Sequence, residues 1–317
     1  MVKKEKAKKR KADYDSAWKD VIERFFEPMM TLFFPSIHNE IDFTKKPEFL
    51  TKESRRFYPG SKTGGRRADA VIKVRLKDGS QQCICIYIHI EVQGEKDQDF
   101  VIRIYVYNYR IFDFYKDEGV EVISLAILTD EDPDWRPDEY VVKRGGFELR
   151  MKIPMVKIID FKLKEEWREK LENTDNPMAM VVKSQLKSYD AKKTGYQEKS
   201  DIQWELIREC YESGYSKEDI RILLNFIDYV IRVPRAFQKK LIERIIKYEE
   251  EHSMNYVASW ERIAEQRGER KGERKGERKG ILKTARKLIK KGVDLDIIVE
   301  ATGFPREEIE KLAAKIH

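Results

Sequence analysis

The spacing of apolar side chains divides the chain into segments of different period. Ala17, Val21, Ile22, Phe25, Phe26, Met29 and Leu32 recur at helical intervals, which predicts an amphipathic helix from about Asp15 to Phe33, stopped by Pro35. The stretch 47–67, PEFLTKESRRFYPGSKTGGRR, is polar and rich in Gly, Pro and Ser and reads as a mobile loop. The period then falls to two. In QCICIYIHIEVQ, Ile84, Ile86, Ile88, Ile90 and Val92 alternate with Cys83, Cys85, Tyr87, His89, Glu91 and Gln93, the pattern of a two-faced strand. Upstream, Ala70, Ile72, Val74 and Leu76 alternate with Asp69, Val71, Lys73 and Arg75, and an Asp78-Gly79 turn signal separates the two runs. A hairpin follows. Matching the apolar faces with a short odd-membered loop such as Asp78, Gly79 and Ser80 places Ile72 opposite Ile86 and Val74 opposite Ile84, with Asp69 opposite His89.

Phe100, Ile104, Tyr107, Ile111 and Phe114 return to helical spacing, residues 120–130 read as a buried strand, and residues 139–161 read as two strands around Arg144, Gly145 and Gly146. From about 164 to 266 the pattern is helical, with sets such as Ile220, Leu223, Leu224 and Ile227, or Leu241, Ile245 and Tyr248. The tetrapeptide GERK then begins at 268, 272 and 276, as a charged helix or as repeat slippage. Three short helices broken at Gly292 and Gly303 end the chain; Ile298, Gly303, Ile309 and Leu312 have helix-turn-helix spacing. A helical cap or a homo-oligomerisation module fits that segment better, because PREEIEKL puts acidic residues where phosphate contacts would be needed.

The 317 residues suffice for a sizeable core, and 41% hydrophobic against 38% charged residues excludes a disordered chain. No apolar run approaches a membrane span and the N-terminus does not resemble a signal peptide, so a cytoplasmic protein is expected. Cys83, Cys85 and Cys210 cannot build a disulfide framework. The net charge of +7 is uneven: residues 2–11 hold seven Lys/Arg against one Glu, and residues 267–291 hold twelve against three, leaving an acidic body. Phosphate binding at the basic ends and simple solvation both accommodate this arrangement.

Asp69, Glu91 and Gln93 fall on one face of the expected hairpin. Two carboxylates on neighbouring strands supply hard oxygen ligands for Mg²⁺ or Mn²⁺, which can polarise a phosphodiester; Gln93, about 7 Å beyond Glu91, is placed to hydrogen-bond water or phosphate. The same carboxylates could equally sit in solvent at strand ends. His89 lies on that face as a neighbour rather than a ligand, and Trp135 and Trp167 read as packing residues. Arg103 and Tyr107 share a helical face and could touch phosphate, although a tyrosine there could also be core.

The segments R-A-D-A (67–70), I-H-I-E-V-Q-G (88–94), F-V-I-R-I-Y-V-Y-N-Y-R (100–110) and L-A-I-L-T-D (125–130) together resemble the recombination-promoting nuclease family, also described as transposase-like, within the PD-(D/E)XK superfamily. Tyr14-Asp15 with Trp18-Lys19, and the glycine-charged repeats before L-I-K-K-G, extend the likeness. The resemblance implies an α/β fold with a restriction-endonuclease-like core, a mixed sheet flanked by helices, followed by an all-α C-terminal region. It implies a basic tail (1–12), a nuclease domain (13–163), a helical region (164–266), the repeat linker (267–280) and a terminal helical module (281–317). The implied activity is Mg²⁺-dependent (or Mn²⁺-dependent) DNA endonuclease cleavage serving recombination or transposition. Asp69 and Glu91 take the metal-ligand positions, and Gln93 the place usually held by lysine. A neutral amide brings no positive charge, so Lys73, Arg103 and Arg110 compete to supply one. Asp15, Lys19 and Glu23, with Asp20 and Glu27, are the candidates on the first helix. A silent core that binds DNA or assembles through the basic C-terminal region is the other reading.

Overall fold

The computed structural model describes residues 17–50, 70–77, 85–119 and 121–252, and most of 280–314, with backbone alone over 85–91. The fold is mixed α/β and its described residues fall in two compact units, divided after Ile245.

The first unit opens with the expected amphipathic helix, bent at Phe25 into α1 (17–24) and α2 (Phe26–Phe33). Pro35 ends that run as expected but also opens α3 (Pro35–Glu40), since proline at a first helical position gives up no hydrogen bond. A five-stranded sheet follows in the order β1 (Glu48–Phe49), β2 (Ala70–Arg75), β3 (Cys85–Gln93), β4 (Glu121–Leu128), β7 (Met155–Lys157). β1, inside the expected loop, pairs Glu48 with Lys73 and Phe49 with Ile72. β2 and β3 are antiparallel, whereas β3, β4 and β7 run parallel. α4 (Phe100–Tyr115) supplies the crossover between β3 and β4 that a parallel pair needs.

The hairpin register differs from expectation by two residues. Val74 pairs with Ile86, Ile72 with Ile88, Val71 with His89 and Ala70 with Ile90. A two-residue slip keeps every side chain on its face, so alternation cannot detect it, and the loop sets the choice.

Leu125, Ala126, Ile127 and Leu128 are all 0% exposed, so the sheet is covered on both faces. α4 lies on one of them. Its Tyr107, Ile111 and Tyr115 pack with Leu50 and Val71, and its Phe100 and Ile104 with Ala126, Leu128 and Ile153. In its last turn Tyr115 is buried and Phe114, the expected residue, is exposed: both positions flank the face, and packing on Leu50 and Val71 selects Tyr115. Asn108 secures the same packing by donating to Val122 O at 2.9 Å and Ser124 Oγ at 3.1 Å.

β5 (Glu139–Arg144) and β6 (Phe147–Lys152) form a separate hairpin whose turn uses Gly145 and Gly146 at φ 54° and 90°. Helices α5 (Asp160–Leu163), α6 (Glu165–Glu172), α7 (Met178–Ala191), α8 (Tyr196–Glu212), α9 (Lys217–Val230) and α10 (Arg235–Glu251) follow. Trp18 meets Phe226 edge-on at 5.2 Å, Arg24 Nε donates to Asp219 at 2.6 Å, and Asn176 Nδ2 donates to Pro28 O at 2.8 Å. These contacts join α9 and the turn before α7 to the first helices. Lys170 Nζ donates to Leu32 O at 2.7 Å, and burial lowers its pKa. Cys210 is buried, which pushes its thiol pKa up and makes it a packing residue.

The second unit contains a helical run at 284–289 (α11), α12 (Leu295–Thr302) and α13 (Arg306–Ala313), broken at Gly292 and Gly303 with φ 71° and 65°. Ala285, Ile289, Ile298, Ile309 and Leu312 form its core. Arg306 pairs with Asp296 and Glu310, so this end of α13 is occupied by internal ion pairs. The basic tail and GERK repeats lie outside the described residues, and no described helix is long and apolar enough to cross a membrane.

Candidate active site

The carboxyl ends of the three parallel strands lie side by side, as Gln93 pairs with Leu128, and Leu128 with Lys157. Open α/β sheets bind ligands at such edges. Along the β3 backbone Glu91 pairs with Ala126, two positions before Gln93. Its side chain, and the whole of Asp69 and Asp15, lie outside the described residues. What the backbone does provide is the register: Ala70 pairs with Ile90, and these are the residues following Asp69 and preceding Glu91.

Gln93 is 7% exposed and its amide is engaged at both ends. Its Oε1 accepts from Arg103 Nη2 at 2.8 Å, and its Nε2 donates to Glu95 O. Arg103, whose side chain is 10% exposed, also pairs through Nη1 with Asp97, and its guanidinium lies 5.5 Å over the Phe100 ring. The short turn 94–99 makes this possible. Asp97 Oδ1 accepts from Asp99 N at 3.0 Å and Asp97 O from Phe100 N at 3.2 Å, so the residues that start α4 also aim Asp97 at the second helical turn.

The other candidates separate from this group. Lys73 donates to Glu118 at 2.9 Å and pairs with Tyr87, three residues along β2 from Ala70. Arg110 is exposed, two helical turns beyond Arg103. Tyr107 is buried in the Leu50, Val71, Ile111 and Tyr115 cluster, which makes it a packing residue rather than a phosphate contact. On the first helix, Lys19 and Asp20 are half-buried, and Glu23 and Glu27 exposed. Trp135 packs on Phe100 at 5.6 Å and Trp167 meets Phe161 edge-on at 4.8 Å, as packing residues do.

A second polar group at this edge carried no role in the sequence reading. Lys157, buried in β7, donates to both oxygens of Asp130 at 2.9 and 2.8 Å and to Trp135 O at 3.0 Å. Asp160 receives Arg136 bidentately, at 2.9 and 2.5 Å, and Lys164 at 3.0 Å. Burial pushes the Asp160 carboxyl up, but hydrogen bonds from Arg136 and Lys164 outweigh it and hold the pKa below the ordinary 3.8. The depressed pKa makes this network a source of stability present in full above 3.8 and lost as pH falls through it toward the lower native value. Arg136→Met is therefore expected to destabilise most at neutral pH and progressively less in acid, read as urea midpoints across a pH series; a destabilisation independent of pH would contradict it. Two further loop pairs, Lys96 with Asp132 and Lys192 with Glu131, border the same edge, and Lys96 holds the Asp132 carboxyl below its usual range. Tyr189 of α7 donates to Thr129 O at 2.9 Å, while Thr129 N donates to Gln93 O at 2.8 Å, tying the helical layer to the end of β3.

No family model matches this chain, and no curated protein or solved structure matches it either. The site is thus read from its own residues. Among the described residues no three His, Cys, Asp or Glu side chains gather as a metal-holding group. The donor set suggested by sequence, Asp69 with Glu91, still suits Mg²⁺, which keeps several waters and takes one or two protein carboxylates beside substrate phosphate oxygens.

Proposed function

We propose that this chain is a divalent-metal-dependent DNA endonuclease with a restriction-endonuclease-like core, akin to the recombination-promoting nucleases it resembles in sequence and acting in the cytoplasm. The observation that supports this most directly is the pairing of Ala70 with Ile90. It makes Asp69 and Glu91 the next residues along two adjacent antiparallel strands, at positions of like parity with Val71 and Gln93. Parallel strands with a helical crossover, and a polar group at their carboxyl ends, are the further support.

Asp69 and Glu91 would hold Mg²⁺ or Mn²⁺, which supplies Lewis-acid polarisation of the phosphodiester when bound. In the hydrolysis, a water oxygen forms a bond to phosphorus as the bond to one deoxyribose oxygen breaks. The water's proton passes to solvent and the departing oxygen takes one up. Asp69 and Glu91 would supply the negative charge that binds the cation beside the reacting phosphate, and the Gln93 group borders that position. DNA is the proposed substrate, with the basic termini adding non-specific affinity.

Titrating Mg²⁺ and Mn²⁺ into the purified chain with supercoiled plasmid is expected to produce nicked and linear DNA, suppressed by a chelator. Retained, salt-sensitive DNA binding with no cleavage under either metal would instead identify a silent DNA-binding core.

A further inference from the structure

We infer that Arg103 supplies the positive charge that the Glu91-x-Gln93 pair lacks, with Gln93 and Asp97 as positioning residues that hold its guanidinium at the end of β3; this rests on the nuclease reading above. In sequence, Lys73, Arg103 and Arg110 are equivalent candidates. Only Arg103 is bonded to Gln93, at 2.8 Å through Nη2, and it is held from a second side by Asp97. The cation therefore sits one hydrogen bond beyond the amide that stands where a lysine is usual. Gln93 has its other end on Glu95 O, so the amide's orientation is set before substrate arrives.

A guanidinium suits the task. It stays charged at all working pH values and presents a planar fork of donors matched to phosphate oxygens. With its side chain only 10% exposed, the charge is poorly screened by solvent and already oriented. Asp97 offsets that charge in the substrate-free protein, which makes its burial tolerable. An incoming phosphodiester competes with Asp97 for the guanidinium, and the charge that builds on the non-bridging oxygens during hydrolysis strengthens that contact relative to the ground state.

The test uses the full-length chain as parent, Arg103→Gln, Arg103→Lys, the double variant Gln93→Lys with Arg103→Gln, and Asp69→Ala. Thermal unfolding serves as the folding control. Arg103→Gln is expected to lower turnover at saturating plasmid by about 10²–10³-fold, the loss typical of one preorganised donor. In metal-free solution its DNA affinity is expected to show a salt slope reduced by about one, as for loss of one phosphate contact. The double variant moves the charge from position 103 to position 93 and is expected to recover most of the turnover, which a merely structural arginine could not explain. Arg103→Gln cutting at the parent rate while Asp69→Ala is inactive would overturn the role of Arg103 and leave the nuclease reading standing. Asp69→Ala cutting like the parent would overturn that reading itself. If Arg103→Gln does not fold, the folded Arg103→Lys variant decides: turnover clearly below the parent's supports the role of the guanidinium, and turnover equal to the parent's overturns it.

Discussion

Alanine at Asp69 or at Glu91 is expected to reduce Mg²⁺-dependent nicking of supercoiled DNA to background while leaving the thermal unfolding transition in place. Each substitution removes one of two hard oxygen ligands, and Mg²⁺, which dehydrates reluctantly, has little affinity for a site with one carboxylate. Lewis-acid stabilisation of transition-state charge is worth several kcal/mol, and about 4 kcal/mol corresponds to about 10³-fold in rate. Folding should be little affected. Position 69 precedes Ala70, the first described residue of β2, and the backbone at position 91 pairs with Ala126 two residues before the end of β3. Core packing in this region depends instead on Val71, Ala126 and Leu128. Gel quantification of plasmid topology against metal concentration checks the expectation; parent-like cutting by either variant would remove the assignment. Loss of cutting together with loss of the unfolding transition would show that the carboxylate had been structural.

Lys157→Met is expected to have the largest effect on stability, a loss of about 3–5 kcal/mol, the usual consequence of leaving one member of a buried ion pair alone. The Lys157 side chain is 0% exposed and that of Asp130 7%. The ammonium makes three hydrogen bonds, two to Asp130 and one to Trp135 O, and lies 5.5 Å from the centre of the Trp135 ring. Methionine fills much of the same volume but leaves the Asp130 carboxylate and the Trp135 carbonyl without that donor. Replacing both members, Lys157→Met with Asp130→Leu, should recover a large part of the loss, because no uncompensated charge then remains buried. Denaturant unfolding of the two variants measures this directly. A double variant as far below the parent in stability as Lys157→Met alone would show that the pair contributes net stability beyond compensating its own desolvation.

These residues also mark how far the sequence could be read. The helix face Phe100, Ile104, Tyr107 and Ile111 and the buried positions Ala70, Ile72 and Val74 of β2 were legible because each follows from a local period set by backbone geometry, whereas Val71, expected on the polar face, is buried as well. Ile298, Ile309 and Leu312 were legible for the same reason, with Gly292 and Gly303 as breaks at positive φ. The pairing of Val71 with His89 was not, since alternation is unchanged by a slip of two residues and the loop between the strands carries no sharper signal. Asp130 stood inside a recognised motif, yet its partner lies 27 positions later, on a strand that becomes its neighbour only when β4 and β7 pair. Asp97 offered one local signal, its place two residues before an Asp at a helix start, which identifies a capping turn but not an arginine partner.

Periodicity thus determines which positions are covered and which elements form, because burial of an apolar face is a property of one segment and its spacing. Which charges meet is settled by strand order, ladder register and the path of the turn at 94–99. An ion pair depends on distances of a few ångströms between residues remote in the chain, and only the assembled sheet and α4 set those distances: they join Arg103 to Gln93 and leave Lys73 with Glu118.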